Sequence, residues 1–338
     1  MLNTILNYES VSIIGMDKNV GKTTTLNYVL KLCWGKVRIG ISSIGRDGEE
    51  LDRVTSTEKP KVYIEKGTII ATSKQCLFNS DITREIVGTT GINTPMGEVI
   101  LAKALSDGNV EIGGPSINSL MAKVCSELRK HGSELIIVDG ALGRKTFAAP
   151  TITEATILST GASLSRSMSK VIEATAYTIK LLSLEEEKDE KLIKICENIL
   201  SNARVGVIYC DNTYKALEVN TSLEASKDII SELNLGVKVI VIKGILSDKL
   251  VNEIISLRNY CKDLKFIVED GTKIFISANT FFKMGKLGVE IMVMKKIKVI
   301  CLTCNPISPY GYSFDKKEFK DRLSSEVKLP VYDVIGGD

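Results

Sequence analysis

The chain has 338 residues, with 44 Lys and Arg against 41 Asp and Glu, a formal net charge of +3 and a single His. That charge is too small to argue for nucleic acid or an anionic membrane surface as partner, and no apolar run approaches the ~20 residues that a membrane span needs. One His leaves no Ser-His-Asp or Cys-His arrangement to argue. The length suits two domains, and 44% apolar with 25% charged residues is ordinary for a globular chain. The opening MLNTILNYES lacks a basic segment followed by a long apolar core, so no signal peptide is expected. Eight Cys are scattered, most of them in apolar patterns, which suits reduced thiols in the cytoplasm better than a disulfide framework.

Residues 11–25, VSIIGMDKNVGKTTT, carry the strongest signal. A β-branched run ends at Gly15, a polar loop follows, and the pattern LNYVLKLC after it is helical. Strand, loop and helix in that order aim backbone N–H groups and a helix N-terminus at one spot, where a phosphate chain binds. The predicted ligand is a nucleoside triphosphate, cradled by Gly15, Asp17, Lys18, Asn19, Val20, Gly21, Lys22, Thr23 and Thr24. Lys22 is expected near the β- and γ-phosphates, and the Thr23 hydroxyl on Mg²⁺. The loop departs from G-x-x-x-x-G-K-[ST]: that pattern needs Gly where Met16 stands, and five residues separate Gly15 from Gly21.

Residues 36–45 read as a second strand, leading into the acidic stretch IGRDGEELD. Asp47, just past that strand, is the first choice among its acids to complete the Mg²⁺ shell or position a water; a solvated acidic loop is the alternative. Residues 61–72 are expected to form a hairpin turning at Glu65-Lys66-Gly67, and a helical pattern lies near 97–107. Another helix covers 116–130, with Ser116 placed to cap it and His131 at its far end. The run ELIIVDG delivers the Asp139 carboxylate at the carboxyl end of a strand. There it would hold Mg²⁺ and meet Lys22, because ligands of open α/β sheets bind outside the carboxyl ends of the strands. A strand over 155–161 ends in STGASLSRS, which would touch the nucleotide or a partner, or simply start a helix.

Helices over 163–183 and 189–202 close a first domain, 1–203, and a second spans 204–338. Strand patterns recur at 204–210, 238–244, 264–270, 272–278 and 296–304, with a helix at 247–258 and a last strand over 329–334. The EDG turn is expected to join 264–268 to 272–277 as an antiparallel hairpin. Strands alternating with helices predict an α/β fold: a P-loop NTPase domain with a mainly parallel sheet, and a second α/β domain. The aromatic, Pro-containing residues 305–315 read as a rigid surface loop or a docking edge. Cys301-Leu302-Thr303-Cys304 has no second Cys or His pair nearby to complete four zinc ligands, so strand-end thiols are expected. No [NT]-K-x-D follows an apolar strand, which favours ATP over GTP.

Gly15, Asp17, Val20, Gly21, Lys22 and Thr23 match the G-T-D-x-x-V-G-K-T loop of dethiobiotin synthetase and the cobyric acid synthase group, and Asp139-Gly140-Ala141-Leu142-Gly143 resembles their acid-Gly-Ala-Gly segment. Those enzymes carry Lys-Pro after the second strand, where this chain has Ser42-Ser43-Ile44-Gly45-Arg46. Across both halves, GMDKNVGKTTTLN, IGRDGEELD, TGINTPMG, IVDGALGRK and NPISPYGYSFD resemble the reactivating-factor subunit family of lysine 5,6-aminomutase. That resemblance implies an ATPase working on an adenosylcobalamin- and pyridoxal-phosphate-dependent aminomutase together with a companion reactivating subunit; whether the chain forms an oligomer is left open by the sequence. Two other readings stay open: a carboxylate-activating ligase using ATP, and a module that senses nucleotide without turnover.

Overall fold

The computed structural model describes residues 1–45, 61–140, 149 and 152–334. Two compact units divide the chain: Met1–Ala176 with Lys298–Asp338, and Tyr177–Ile297. The expected boundary at 203/204 falls inside the second unit, and the last forty or so residues return to the first.

In chain order, the first unit opens with α1 (Leu2–Ile5), β1 (Ser10–Gly15), α2 (Lys22–Cys33), β2 (Ile39–Ser43), β3 (Val62–Ile64) and β4 (Ile69–Ser73). It continues with α3 (Lys74–Phe78), β5 (Arg84–Thr94), β6 (Gly97–Ala104), β7 (Gly108–Val110), α4 (Asn118–Lys130), β8 (Leu135–Asp139) and β9 (Ala155–Gly161). Helix α5 (Met168–Leu182) leads into the second unit. There follow α6 (Glu190–Asn202), β10 (Val205–Tyr209), β11 (Tyr214–Leu217), α7 (Ser226–Leu233), β12 (Val237–Ile242) and β13 (Leu246–Ser247). Next come α8 (Asp248–Ile255), β14 (Lys265–Val268), β15 (Ile274–Phe275), α9 (Ala278–Lys286) and β16 (Glu290–Val293). The first unit resumes with β17 (Val299–Asn305), α10 (Lys316–Glu326) and β18 (Val331–Tyr332).

The first unit is built on a nine-stranded mixed sheet in the order β18-β17-β9-β1-β8-β2-β4-β6-β5. Pairings from β18 through β4 are parallel, and β6 and β5 add antiparallel strands at one edge. Strands β1 and β9 are buried along their whole length, and β8 up to its last residue; they are mainly apolar, with small hydroxyl residues such as Ser12, Thr156 and Ser159 buried among them. Alternation sorts their side chains between two cores: Ile13, Ile41 and Ile137 pack with Leu26, Val29 and Leu30 of α2, while Ile136 and Val138 pack with Met121, Val124 and Leu128 of α4. Each helix presents one apolar stripe at helical spacing, and the two stripes cover opposite faces of the sheet.

Several local expectations are corrected by pairing that sequence pattern does not reveal. Residues 97–104, expected to be helical, form β6 between β4 and β5, because a short apolar run such as VILA fits either state until its partners decide. The 61–72 segment is no hairpin: β3 pairs antiparallel with β7, whereas β4 joins β2 and β6. The EDG turn makes no antiparallel hairpin either, since residues 271–273 form a 3₁₀ turn and β15 runs parallel to β13. The cap position of α4 is Ile117 rather than Ser116.

The second unit has a five-stranded sheet, β11-β10-β12-β14-β16, in which β10 is antiparallel to both its neighbours and β12, β14 and β16 are parallel. Its main core gathers Val205, Val207, Ile240, Ile242, Phe266 and Val268 with Leu250 and Ile254 of α8. Among the described residues of the chain, no helix is long and apolar enough to cross a membrane.

Candidate functional site

Strand β1 sits where the connections of the large sheet change direction. From β1 the chain runs out through β2, comes back to β8 beside β1, and then continues on the other side through β9 and β17. A crevice outside the carboxyl ends of the strands at such a point is where open α/β sheets hold ligands. The register lines up the residues there. Ile13 lies opposite Asp139, which lies opposite Ser43. Gly15 lies opposite Ser159, which lies opposite Thr303, and Gly161 lies opposite Asn305.

The loop from Gly15 to Gly21 is shaped by tight backbone approaches. A side chain at Gly15 would put its Cβ 2.9 Å from Val20 Cγ2, and Val20 is itself buried. Asn19 and Gly21 both take positive φ, +60° and +86°; Asn tolerates that region and Gly meets no penalty there. Helix α2 then starts at Lys22 with Gly21 at the cap position, so no side chain caps its first turn, and that turn carries no acid. Uncapped N–H groups at the positive end of a 12-residue helix suit an anion. Thr23 is half-buried and Thr24 exposed in that first turn, and the exposed Asp17 accepts from its neighbour's backbone, Lys18 N, at 2.7 Å.

Lys22 reaches across to β8. Its Nζ donates to Asp139 Oδ1 and to the Gly140 carbonyl, both at 2.5 Å, with the two side chains 12% and 17% exposed. Ser43 Oγ, at the end of β2, donates to the other Asp139 oxygen at 3.4 Å. Gly140 is pressed against β1, where an added Cβ would meet Ile14 Cγ2 at 2.8 Å and Ile13 O at 2.9 Å. Two residues 117 positions apart are thus held together by neighbouring parallel strands. Asp47, the other acids of the 46–52 stretch, and residues 141–143 lie outside the described residues.

Beneath the loop is a buried set of hydroxyls. Thr25 Oγ1 lies 3.2 Å from Ser159 Oγ and 2.8 Å from Thr303 Oγ1, and Thr303 Oγ1 donates to Ser159 Oγ at 2.8 Å. Three polar groups buried in contact satisfy one another and tie α2 to β9 and β17. Ser163, in the stretch after β9, donates to the Lys18 carbonyl at 2.9 Å, so that segment touches the loop backbone. Asn305, at the end of β17, donates from Nδ2 to the Asn19 carbonyl at 3.2 Å.

Sequence pattern singles out the contiguous loop, Asp139 and the 159–167 stretch that holds Ser159 and Ser163, but misses Asn305, Thr25 and Thr303 as loop supports. Their signal is weak: a small or polar residue at the carboxyl end of an apolar strand. The hairpin after Asn305 folds onto its own unit, with Ile307 bridging Ser313, Tyr312 OH donating to the Ala162 carbonyl at 2.6 Å, and Tyr312, Phe314 and Phe319 in tilted and edge-on ring contact in series. Cys301 and Cys304 are buried, and burial pushes the Cys301 thiol up to about 12, which leaves it protonated and unreactive. His131 sits at the C-cap of α4, its Nδ1 2.9 Å from the Glu127 carbonyl. No family model matches this chain, and neither does any curated protein or solved structure.

Proposed function

We propose that the chain is a P-loop NTPase that binds ATP with Mg²⁺ on residues 15–24 and hydrolyses it. The observation that carries this reading is the meeting of Lys22 with Asp139 at the switch point of a parallel sheet, beside an uncapped helix N-terminus. Lys22 would neutralise charge on the β- and γ-phosphates, and the loop N–H groups would position them. The donor set fits Mg²⁺: a carboxylate at Asp139 and a hydroxyl at Thr23 are hard oxygen ligands, and this ion is ordinarily held by one or two such groups together with substrate phosphates. When bound, the ion supplies charge neutralisation on the phosphate oxygens. Asp47 is the acid proposed to complete the Mg²⁺ shell or to position a water.

The partner part of the proposal rests on the resemblance of the motifs to the aminomutase reactivating-factor family. In that role the chain is a cytoplasmic ATPase whose nucleotide-dependent states bind an adenosylcobalamin- and pyridoxal-phosphate-dependent aminomutase with different affinity. Only such a difference can shift the partner's conformation and release a damaged cofactor. The spacing of Gly15 and Gly21 supports a second reading, a carboxylate-activating ligase of the dethiobiotin or cobyric acid synthase type. The residues after β2, Ile44 and Gly45, are not the Lys-Pro of the dethiobiotin enzymes. The test is Mg²⁺-dependent ATP hydrolysis by the purified chain, alone and with the aminomutase and its companion subunit. Hydrolysis that rises with the partner supports reactivation. Turnover that appears only with a carboxylate substrate supports the ligase, and ATP binding with no turnover leaves a sensing module. Absence of ATP binding overturns all three.

A further inference from the structure

We propose that Asn305 is a positioning residue for the phosphate loop, setting the Asn19–Val20 peptide in the conformation that binds ATP. This rests on the nucleotide-binding reading above and adds to it a group supplied from 286 residues away.

Asn305 is a buried polar residue, 8% exposed, at the end of β17. Both ends of its carboxamide are engaged. Nδ2 donates to the Asn19 carbonyl at 3.2 Å, and Oδ1 accepts from Ile307 N at 2.9 Å. The second bond turns the chain into the hairpin that follows and fixes which way the amide faces. The first acts on a residue held at φ +60°, where a non-Gly backbone stays only if its surroundings hold it.

The peptide group is planar and trans, so pinning the Asn19 carbonyl also fixes the Val20 N–H, which points away from Asn305. A loop that binds phosphate through its N–H groups needs those directions set before the ligand arrives. Packing reinforces the bond. An added Cβ at Gly21 would lie 3.1 Å from Asn305 Cβ, and one at Gly161 would lie 2.9 Å from Asn305 O and 3.2 Å from Val20 Cα. The Val20–Gly21 backbone thus rests against the ends of β9 and β17 with no room for side chains between. The Thr25, Ser159 and Thr303 hydroxyls fix the same strand ends to α2. Because both carboxamide ends are already bonded within the chain, Asn305 acts through the loop.

Two substitutions of similar size test this. Asn305→Leu removes both bonds without adding charge. Asn305→Asp keeps an acceptor for Ile307 N–H and turns the donor into a carboxylate facing the Asn19 carbonyl. ATP with Mg²⁺ is titrated into wild type and both variants by calorimetry, with melting temperatures recorded alongside. Asn305→Leu is expected to weaken binding about three- to tenfold, the range of one hydrogen bond, and Asn305→Asp by more.

A pH profile separates positioning from mere stability. Burial raises a carboxyl's pKa, and a protonated carboxyl regains a donor. Relative to wild type, Asn305→Asp should therefore recover affinity as pH falls from 8 towards 5.5 on the order of severalfold, while Asn305→Leu should not. If Asn305→Leu binds ATP as tightly as wild type, or if both variants follow one pH profile, the positioning role is overturned. Should Lys22→Ala bind ATP as well as wild type, the nucleotide site itself is wrong and this inference goes with it. Loss of binding in Lys22→Ala beside full binding in both Asn305 variants removes only the inference.

Discussion

Both units present parallel strands whose carboxyl ends carry charge, yet they use that charge differently. In the second unit the polar groups there bond separately, each to its own partner within that unit. Lys243 Nζ donates to the Leu200 carbonyl at 2.8 Å, Asp270 caps the 3₁₀ turn that begins at Gly271, and Glu186 accepts from the backbone of Lys296 at 3.1 Å. In the first unit the corresponding edge gathers Lys22, Asp139, Ser43, Ser163 and Asn305 from five separate segments around one loop. Strand topology alone therefore does not make a site. Convergence of several segments on one uncapped helix N-terminus distinguishes the first unit from a second one whose polar groups bond in separate places.

The largest expected effect tests whether stability and binding separate along the same line. Phe266 is fully buried in the second unit's core, and Phe266→Ala should cost about 3–5 kcal/mol in urea unfolding. ATP affinity measured where the variant stays folded should not change, because every proposed contact lies in the first unit. A parallel fall in affinity would show that the second unit supplies part of the site.

Next in size is Lys22→Ala. Charged hydrogen bonds to phosphate are lost, and ATP affinity should fall on the order of a hundredfold. Asp139→Asn carries a more telling sign. Lys22 is shared between Asp139 and the Gly140 carbonyl, so a phosphate must compete with a carboxylate for the same ammonium. Removing that negative charge should tighten binding of ATP in EDTA by about three- to tenfold. The same change should abolish the gain that Mg²⁺ gives to wild type. If Asp139→Asn retains full Mg²⁺-dependent hydrolysis, the metal role of Asp139 is wrong.

What the sequence reveals of this arrangement follows from how far each signal reaches. The loop is legible because Gly15 to Thr24 are contiguous, and Asp139 because a charged residue closing an apolar strand stands out. The α/β class is legible from the alternation of patterns, and helices α2, α4, α6 and α8 fall where their apolar spacing puts them. Asn305 is not legible, because its role depends on β17 rejoining the large sheet after the whole second unit, and no local pattern encodes that return. The β5–β6 hairpin is hidden for a different reason. GTTGINT is rich in Gly and Thr, lacks clean alternation, and pairs through two register shifts at the edge of the sheet.

The smallest effect concerns the second unit. Glu187 is buried and accepts from Lys265 Nζ at 2.6 Å and from the backbone of Lys188 and Asp189 at 2.9 and 3.1 Å. Burial pushes its carboxyl up, but the Lys265 hydrogen bond, the two backbone donors and the Lys265 charge outweigh that and hold it below the usual carboxylate range. A carboxylate with a depressed folded-state pKa stabilises above its unfolded pKa of about 4.3. That stabilisation is lost as pH falls through the lower folded value. Glu187→Gln keeps an oxygen for the backbone donors but loses the charge, so it should cost about 1 kcal/mol at pH 7. The gap from wild type should close as the pH drops below that of an ordinary carboxylate. Urea unfolding at pH 7 and pH 3.5 measures it, with the second unit's transition followed. A gap that persists undiminished in acid would mean that shape at residue 187, and not its charge, supports the fold. ATP affinity should be the same in both proteins at pH 7, since this ion pair serves only the unit that contains it.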